Sequence, residues 1–534
     1  MQGLMQHRPL LLSSILEHAA RHHGDGEVVS RRADGALARS TYAALAHRAR
    51  KLAQVLRDLG VQPGDRVGTI AMNSDRHLEL YYAISGIGAV CNTINPRLTP
   101  DDVAYIMDHA QDGVLFVDPG FLPIVQQVAP RLTGVLRAVV VLDDDLPDVT
   151  LPPPIALHCY ETLLAGAREI EAWPEFDENT ASGLCYTSGT TGRPKGVLYS
   201  HRSNLLHAMA MNAADALGLR ATDRIVAVVP MFHVNAWGLP YIAPMAGAAL
   251  LMPGRQLDPA SLLDLMNSER ATLAVGVPTI WLALFNHLRD TGGRLETLKR
   301  IMVGGSAMPR SLIQGFNAMG IAVAQGWGMT ESSPVVTLNA VTPSCLKLEG
   351  EAQLDRKAAQ GRCLFGVDLR AQDDSGQEVP WDGATQGALV FRGHWVASGY
   401  YGMPQSAEDW FPTGDVGVID ANGFVTLTDR TKDLIKSGGE WISSIAIENI
   451  AMAHPDVLEA AAIAVRHEKW GERPLLIVVP RPGAAPAPDA LREFFRGKLP
   501  DWSIPDRVIL ADSIPHGATG KVLKTELRRQ YAGS

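Results

Sequence analysis

Between residues 41 and 60, Leu45, Ala49, Leu52 and Leu56 recur on one helical face and Gly60 closes the run. This spacing predicts an amphipathic helix. Gly64-Asp65-Arg66 then leads into the apolar stretch 67–72, a short strand, and a second helix follows over 78–87. The alternation repeats loosely as far as Val140-Val141, the pattern of an α/β layer fold. Residues 143–154, with their runs of Asp and Pro, read as a surface excursion, and 173–180 as a polar approach to the next strand.

A second α/β section places strands at 224–229, 249–252, 271–277 and 301–303 and helices at 259–268 and 310–319. A further strand, 321–325, runs into Gly326-Trp327-Gly328-Met329-Thr330-Glu331. Polar turns therefore fall repeatedly at strand ends, as expected for a site at the edge of a largely parallel sheet. After Cys363 the chain changes to short alternating stretches rich in glycine, a β-rich unit ending near residue 430. Asp429-Arg430-Thr431-Lys432-Asp433 then introduces a small α/β section with a helix at 445–452 and strands at 461–465 and 475–479. The expected organisation is a large N-terminal domain over 1–431, with parallel-sheet units and a β-rich unit, and a small mobile α/β domain over 432–534.

Composition narrows the class. A chain of 534 residues, 46% hydrophobic and 20% charged, fits a globular protein of roughly two to four packed units. The net charge of -9 argues against a broad nucleic-acid surface while leaving room for a local anion pocket. Cys91, Cys159, Cys185, Cys345 and Cys363 lack metal-ligand spacing, and four of them sit in apolar or mixed segments, as free thiols in a reducing, cytoplasmic setting do. No apolar run reaches the roughly 20 residues needed to span a bilayer. Near the start, Leu10-Leu11-Leu12 is too short for a signal peptide and reads as packing or dimer contact.

The densest chemical signal is Tyr186-Thr187-Ser188-Gly189-Thr190-Thr191-Gly192-Arg193-Pro194-Lys195-Gly196. Hydroxyls and glycines there can turn O–H and backbone N–H donors toward one polyanion while Arg193 and Lys195 offset its charge. The ATPase phosphate loop opens directly into a helix. Here strand-like residues lie on both sides, which predicts a hairpin closing over a triphosphate.

This loop, residues 325–331, 410–415 and 429–443, and Gly520-Lys521 occur in the order seen in adenylate-forming acyl-CoA synthetases, and the chain resembles that family over nearly its whole length. It is most similar to bacterial medium- and long-chain fatty-acyl-CoA synthetases and methylmercaptopropionyl-CoA ligases. The resemblance implies that a carboxylate attacks MgATP to give acyl-AMP and pyrophosphate, after which CoA thiolate releases AMP. It implies phosphate contacts from Thr187, Ser188, Gly189, Thr190, Thr191, Gly192 and Lys195, and magnesium contacts from Thr187 and Glu331. Glu331 by itself reads equally as a capping or surface acid. Gly305, Ser306, Gly326, Trp327, Gly328, Thr330, Asp415 and Arg430 match the nucleotide site, with Trp327 standing where relatives often carry Tyr. Lys521 matches the lysine of adenylation, although the preceding Pro515-His516-Gly517-Ala518-Thr519 departs from the family's basic-hydroxyl pattern. Lys432 matches the hinge. Lys436, Gly438, Gly439, Glu440 and Trp441 match the loop brought in for thioester formation. The final cations Lys524, Arg528 and Arg529 read as a solvated helix or a polyanion contact.

For the acid, His233 is expected to orient the carboxylate or line the CoA path, and Trp237 matches a gate in a long-chain relative. Val234, Val303, Ala307 and Met329 complete an apolar pocket with no carboxylate to pair a substrate ammonium. The favoured substrate is a medium- or long-chain fatty acid, with a short thioether acid or an aryl acid as alternatives. A luciferase-like oxidoreductase or a carrier-loading protein would use the same adenylate. The resemblance also implies a homodimer, and a lipid-derived substrate makes transient membrane contact useful.

Overall fold

The first long helix begins where Thr41 accepts a hydrogen bond from the Ala44 N–H at 3.3 Å, and Tyr42–Asp58 buries Leu45, Ala49, Leu52 and Leu56. Ser74 caps Asp75–Gly86 in the same way through the His77 N–H. Both caps satisfy donors that the first helical turn leaves unpaired. The computed structural model describes residues 1, 3–187, 193–405, 408–438, 440–517 and 522–531. Ser188, Gly189, Thr190, Thr191, Gly192, Gly439 and Lys521 lie outside the described residues.

Among the described residues the strands form four sheets. In the first, the spatial order is Ala156–Cys159, Ala138–Val141, Asp112–Val117, Arg66–Ile70, Val90–Thr93, Ala181–Tyr186 and Gly196–Ser200. All neighbours are parallel except the last pair. Asp112–Val117 and Ala138–Val141 are buried along their whole length, which explains their unbroken apolar runs. The second sheet sets Ala322–Gly328, Arg300–Val303, Leu273–Gly276 and Arg224–Ala227 side by side and parallel. An antiparallel sheet spans Val367–Gln372 through Val425–Arg430, the expected β-rich unit. The last sheet joins Ile435–Ser437, Glu440–Ile442, Val457–His467, Gly471–Pro480 and Arg507–Leu510. The molecule is thus a large mixed α/β N-terminal domain followed by a smaller C-terminal α/β domain.

Three features go beyond the sequence reading. The strand expected to stop at 325 continues to Gly328, because Gly326 and Trp327 pair with Leu338 and Thr337. The N-terminal stretch leads into a helix, Ser13–His22, which buries Ile15, Leu16 and Ala19. The terminal basic segment forms the helix Lys524–Tyr531 and directs two cations inward: Lys524 Nζ lies 2.7 Å from Glu448, and Arg528 2.6 Å from Asp433. Cys91, Cys159, Cys185 and Cys345 are buried and unbridged. Among the described residues no helix is long and apolar enough to cross a membrane.

Candidate functional site

Pro230, Val277 and Gly304 follow closely on the ends of Arg224–Ala227, Leu273–Gly276 and Arg300–Val303, neighbouring parallel strands whose C-terminal ends open on one edge. Such an edge is where open α/β sheets take ligands. A cavity of about 110 Å³ lies there, lined by Val229, Phe232, Trp237, Val277 and Ile280. His233, Gly305, Ser306 and Arg97 supply its polar lining, and the Arg97 guanidinium lies 5.9 Å from the centre of the Phe232 ring. Val234, Val303, Ala307 and Met329 are not among its lining residues. Val303 is fully buried in the core behind the strand ends.

The cavity wall is strained. Val234, Asn235, Ala236 and Trp237 have φ of 38°, 57°, 46° and 55°, a left-handed turn built from residues with side chains. Each such residue costs roughly 1–2 kcal/mol. The turn is held by the Val234 N–H, which donates to Cys185 Sγ at 3.3 Å, and beside it the Tyr81 hydroxyl donates to the Met231 carbonyl and lies 3.3 Å from Asn235 Oδ1. Its indole packs so closely on Gly304 that a Cβ there would lie 2.8 Å from the Trp237 ring. Gly304 was absent from the expected site; its only sequence signal is the Gly304-Gly305 pair at a strand end.

Trp327 and Asp415 meet although they are 88 residues apart. The indole N–H of Trp327 donates to Asp415 Oδ2 at 2.8 Å. The indole thus places its own donor on the carboxylate. Asp415 and Arg430 are register partners on antiparallel strands, which brings Arg430 Nε to 3.4 Å from Asp415 Oδ1. Lys432 follows immediately; burial first, then the like charge of Arg430, draws its pKa below the ordinary lysine value. Gly328 ends its strand against Pro334, whose carbonyl oxygen would lie 1.8 Å from a Cβ at that position.

The phosphate-loop residues that are described sit at the mouth of the hairpin Ala181–Tyr186/Gly196–Ser200. The Thr187 N–H donates to the Lys195 carbonyl at 2.9 Å, and the Lys195 N–H donates to Thr187 Oγ1 at 3.3 Å. The Tyr199 hydroxyl donates to the Thr330 carbonyl at 2.8 Å, tying the hairpin to the turn that carries Glu331. Glu331 is buried, and its Oε1 accepts from the Tyr400 hydroxyl at 2.7 Å. The sequence left Glu331 open between ligand, capping acid and surface acid; its burial removes the surface alternative alone. Tyr400 itself carried no motif signal, since Ser398-Gly399-Tyr400-Tyr401 reads as an ordinary turn.

Lys436, Gly438, Glu440 and Trp441 lie on or beside the C-terminal hairpin Ile435–Ser437/Glu440–Ile442. Lys436 Nζ sits 5.9 Å from the Trp441 ring centre, and the Gly438 N–H donates to the Trp470 carbonyl. None of these residues lines the cavity. The structure therefore gathers Thr187, Lys195, Thr330 and Glu331 as one group, and Trp327, Asp415 and Arg430 as another.

The family model described as AMP-binding enzyme matches residues 16–401, and that of the AMP-binding enzyme C-terminal domain matches 446–521. The chain is 48% identical to a 3-methylmercaptopropionyl-CoA ligase of Ruegeria lacuscaerulensis, with 99% of each chain covered. It is 47% identical to a long-chain-fatty-acid–CoA ligase of Thermus thermophilus, covering 99% of this chain and 96% of the other. Among solved structures, ATP-bound MatB from Rhodopseudomonas palustris superposes with a TM-score of 0.81 at 28% identity, over 98% of this chain and 99% of that one.

Proposed function

This chain belongs to the AMP-binding enzyme family, and on that footing we propose that the acid it activates is a short aliphatic one of the 3-methylmercaptopropionate class. The reaction is AMP-forming acyl-CoA synthesis, in which ATP and CoA are cosubstrates and the acid passes through acyl-AMP. The observation that carries the choice of acid is the cavity of about 110 Å³ that Trp237 helps to line. Pockets for drug-sized ligands occupy roughly 300–1,000 Å³. A medium- or long-chain acid, the first expectation, requires Trp237 to leave its packing on Gly304. The name of the Ruegeria relative favours the short thioether acid as well.

In this reading the apolar wall takes the acid's tail and His233 faces its carboxylate. Asp415 accepts from the ribose hydroxyls, Arg430 adds a ribose or phosphate contact, and Lys195 and the loop 187–192 hold the triphosphate. Lys521 stabilises charge as the carboxylate attacks, because an ammonium can neutralise two anionic partners at once. Residues 432–534 then turn about Lys432 and bring Lys436 and the 438–441 loop to the adenylate. Magnesium fits the oxygen donors Thr187 and Glu331. The described residues contain no group of three or more acidic, His or Cys ligands, and so sparse a protein set suits an ion that keeps waters and takes phosphate oxygens. Bound there, it would neutralise phosphate charge. We also propose a cytoplasmic homodimer joined through the N-terminal segment, where Leu4 and Met5 are exposed.

The test is a one-pot competition of 3-methylmercaptopropionate, hexanoate, octanoate, palmitate and benzoate, read as intact acyl-CoA masses at early times. ATP and CoA omissions serve as controls. 3-Methylmercaptopropionyl-CoA is expected to dominate over hexanoyl-CoA and the longer products. Faster formation of octanoyl- or palmitoyl-CoA would overturn the substrate assignment without touching the ligase chemistry.

A further inference from the structure

Tyr400 contacts both charged sides of the phosphate region. Its hydroxyl donates to Glu331 Oε1 at 2.7 Å, and Lys195 Nζ lies 4.9 Å from the centre of its ring. The surrounding chain is fastened to the same two elements. The Ala397 N–H donates to the Glu331 carbonyl at 2.7 Å, and the Tyr401 N–H donates to the Gly196 carbonyl at 2.8 Å, one residue beyond Lys195. On its outer side the Tyr400 ring meets Phe411 edge-on at 6.2 Å, and Phe411 stacks on Phe391 at 5.7 Å. Phe391 in turn packs edge-on against Trp327 at 6.0 Å, the residue that holds Asp415. The ring therefore has one packed flank, and its two polar contacts point to the loop and to the buried acid.

The neighbouring cation is held in the same manner. The Arg193 guanidinium rests 4.9 Å from the centre of the Tyr105 ring. Tyr105 stacks on His109, and His109 Nδ1 lies 2.7 Å from the Tyr186 hydroxyl at the base of the hairpin. No ion pair to Arg193 or Lys195 is found among the described residues; both cations lie over aromatic faces. A ring attracts a cation more weakly than a charge-assisted hydrogen bond to phosphate does. A lysine over Tyr400 is consequently placed near its destination and is free to leave when phosphate arrives. A carboxylate in the same position would compete with the ligand.

We propose that Tyr400 is a positioning residue that sets Glu331 through its hydroxyl and Lys195 through its ring, so that one side chain arranges the metal-side acid and the phosphate-side cation together. This rests on the reading of Glu331 and Lys195 given under the proposed function. The two contacts separate by substitution. Tyr400→Phe removes only the hydrogen bond, and Tyr400→Leu removes the aromatic face as well.

The experiment is isothermal titration calorimetry of the full-length enzyme in the absence of acid and CoA. Three quantities are measured: AMP affinity, ATP affinity in EDTA, and the magnesium concentration that half-maximally enhances ATP binding. For Tyr400→Phe the magnesium midpoint is expected to rise about tenfold, the size of a lost hydrogen bond to a charged group. Its AMP and metal-free ATP affinities should stay within about twofold of wild type. Tyr400→Leu should in addition weaken metal-free ATP binding, with AMP again unchanged. An unshifted midpoint in Tyr400→Phe, alongside a shifted one in Glu331→Gln, overturns the positioning role and leaves the function of Glu331 standing. An unshifted midpoint in Glu331→Gln refutes the assignment of that carboxylate, and the proposal with it. Equal losses of AMP and ATP binding in both Tyr400 variants would mark a purely structural residue and also overturn the proposal.

Discussion

Replacing Trp327 with Phe tests how the nucleotide carboxylate is held. The substitution keeps an aromatic ring near Phe391 and removes the indole N–H, which lies 2.8 Å from Asp415 Oδ2. The Asp415 side chain is only 13% exposed, so water replaces that donor poorly. Its remaining cationic partner, Arg430, is 3.4 Å away and 41% exposed, a weaker restraint. A hydrogen bond to a charged group contributes about 1.5–3 kcal/mol. The lower end applies because Arg430 remains, and about 1.5 kcal/mol corresponds to roughly a tenfold weaker affinity. Trp327→Phe should therefore raise the calorimetric Kd for AMP about tenfold, with a similar rise in KM for ATP. Asp415→Asn provides the comparison. If it weakens AMP binding by that amount while Trp327→Phe stays within about twofold, the indole does not position the carboxylate. If neither variant changes AMP binding, the ribose assignment itself fails.

Two further outcomes follow from burial and backbone strain. Ala236 has a φ of 46°, and glycine accepts this conformation without a Cβ penalty, so Ala236→Gly should raise unfolding stability by about 1 kcal/mol; a lower denaturant midpoint at unchanged m-value would refute the strain argument. Burial lowers the pKa of His77 and His201 to about 4 and of His207 to about 3. All three are neutral in the fold, and the unfolded chain takes up protons first as pH drops below 6.5. Stability is complete above that value and is lost progressively on acidification toward the folded values. From pH 7 to about 5.5 each site should lose about 1.3 kcal/mol, or about 4 kcal/mol together. Over the same interval buried carboxyls oppose this loss, since Glu79, raised to about 7, and Asp118, raised to about 6, take up protons in the fold; NMR titration of the individual imidazoles is therefore the check, and a folded-state midpoint near 6.5 would exclude the buried neutral state of that histidine.

Much of the fold was legible because it rests on local rules. The helix Pro259–Ser268 and the strand Ala249–Met252 have the predicted ends, set by the Asp258 cap and by an apolar run between polar turns. The hairpin followed from strand-like residues on both sides of the glycine-rich loop, and Ala181–Tyr186 does pair with Gly196–Ser200. The candidate site residues Asp415, Glu331 and Lys195 were named through motif order and the family resemblance, since Asp415 and Glu331 taken singly read as a turn and as a capping or surface acid. The site was not legible where a neighbour distant in sequence decides the role. Tyr400 is an unremarkable turn residue until folding brings it to Glu331, 69 positions away. Gly304 gains its meaning from the Trp237 ring, and Val303, read as pocket, faces the core.

By itself the sequence determined the α/β alternation, the hairpin Ala181–Tyr186/Gly196–Ser200, the order of large and small α/β units and the adenylating family, because these depend on periodicity, turn chemistry and motif order. Tertiary structure decided which strand ends share an edge, that Trp327 donates to Asp415, that the Tyr400 hydroxyl reaches the buried Glu331, and which residues line the cavity beside Trp237. The physical reason is that hydrogen bonds, burial and cavity size depend on distances between segments tens to hundreds of residues apart, and no local pattern encodes such a distance.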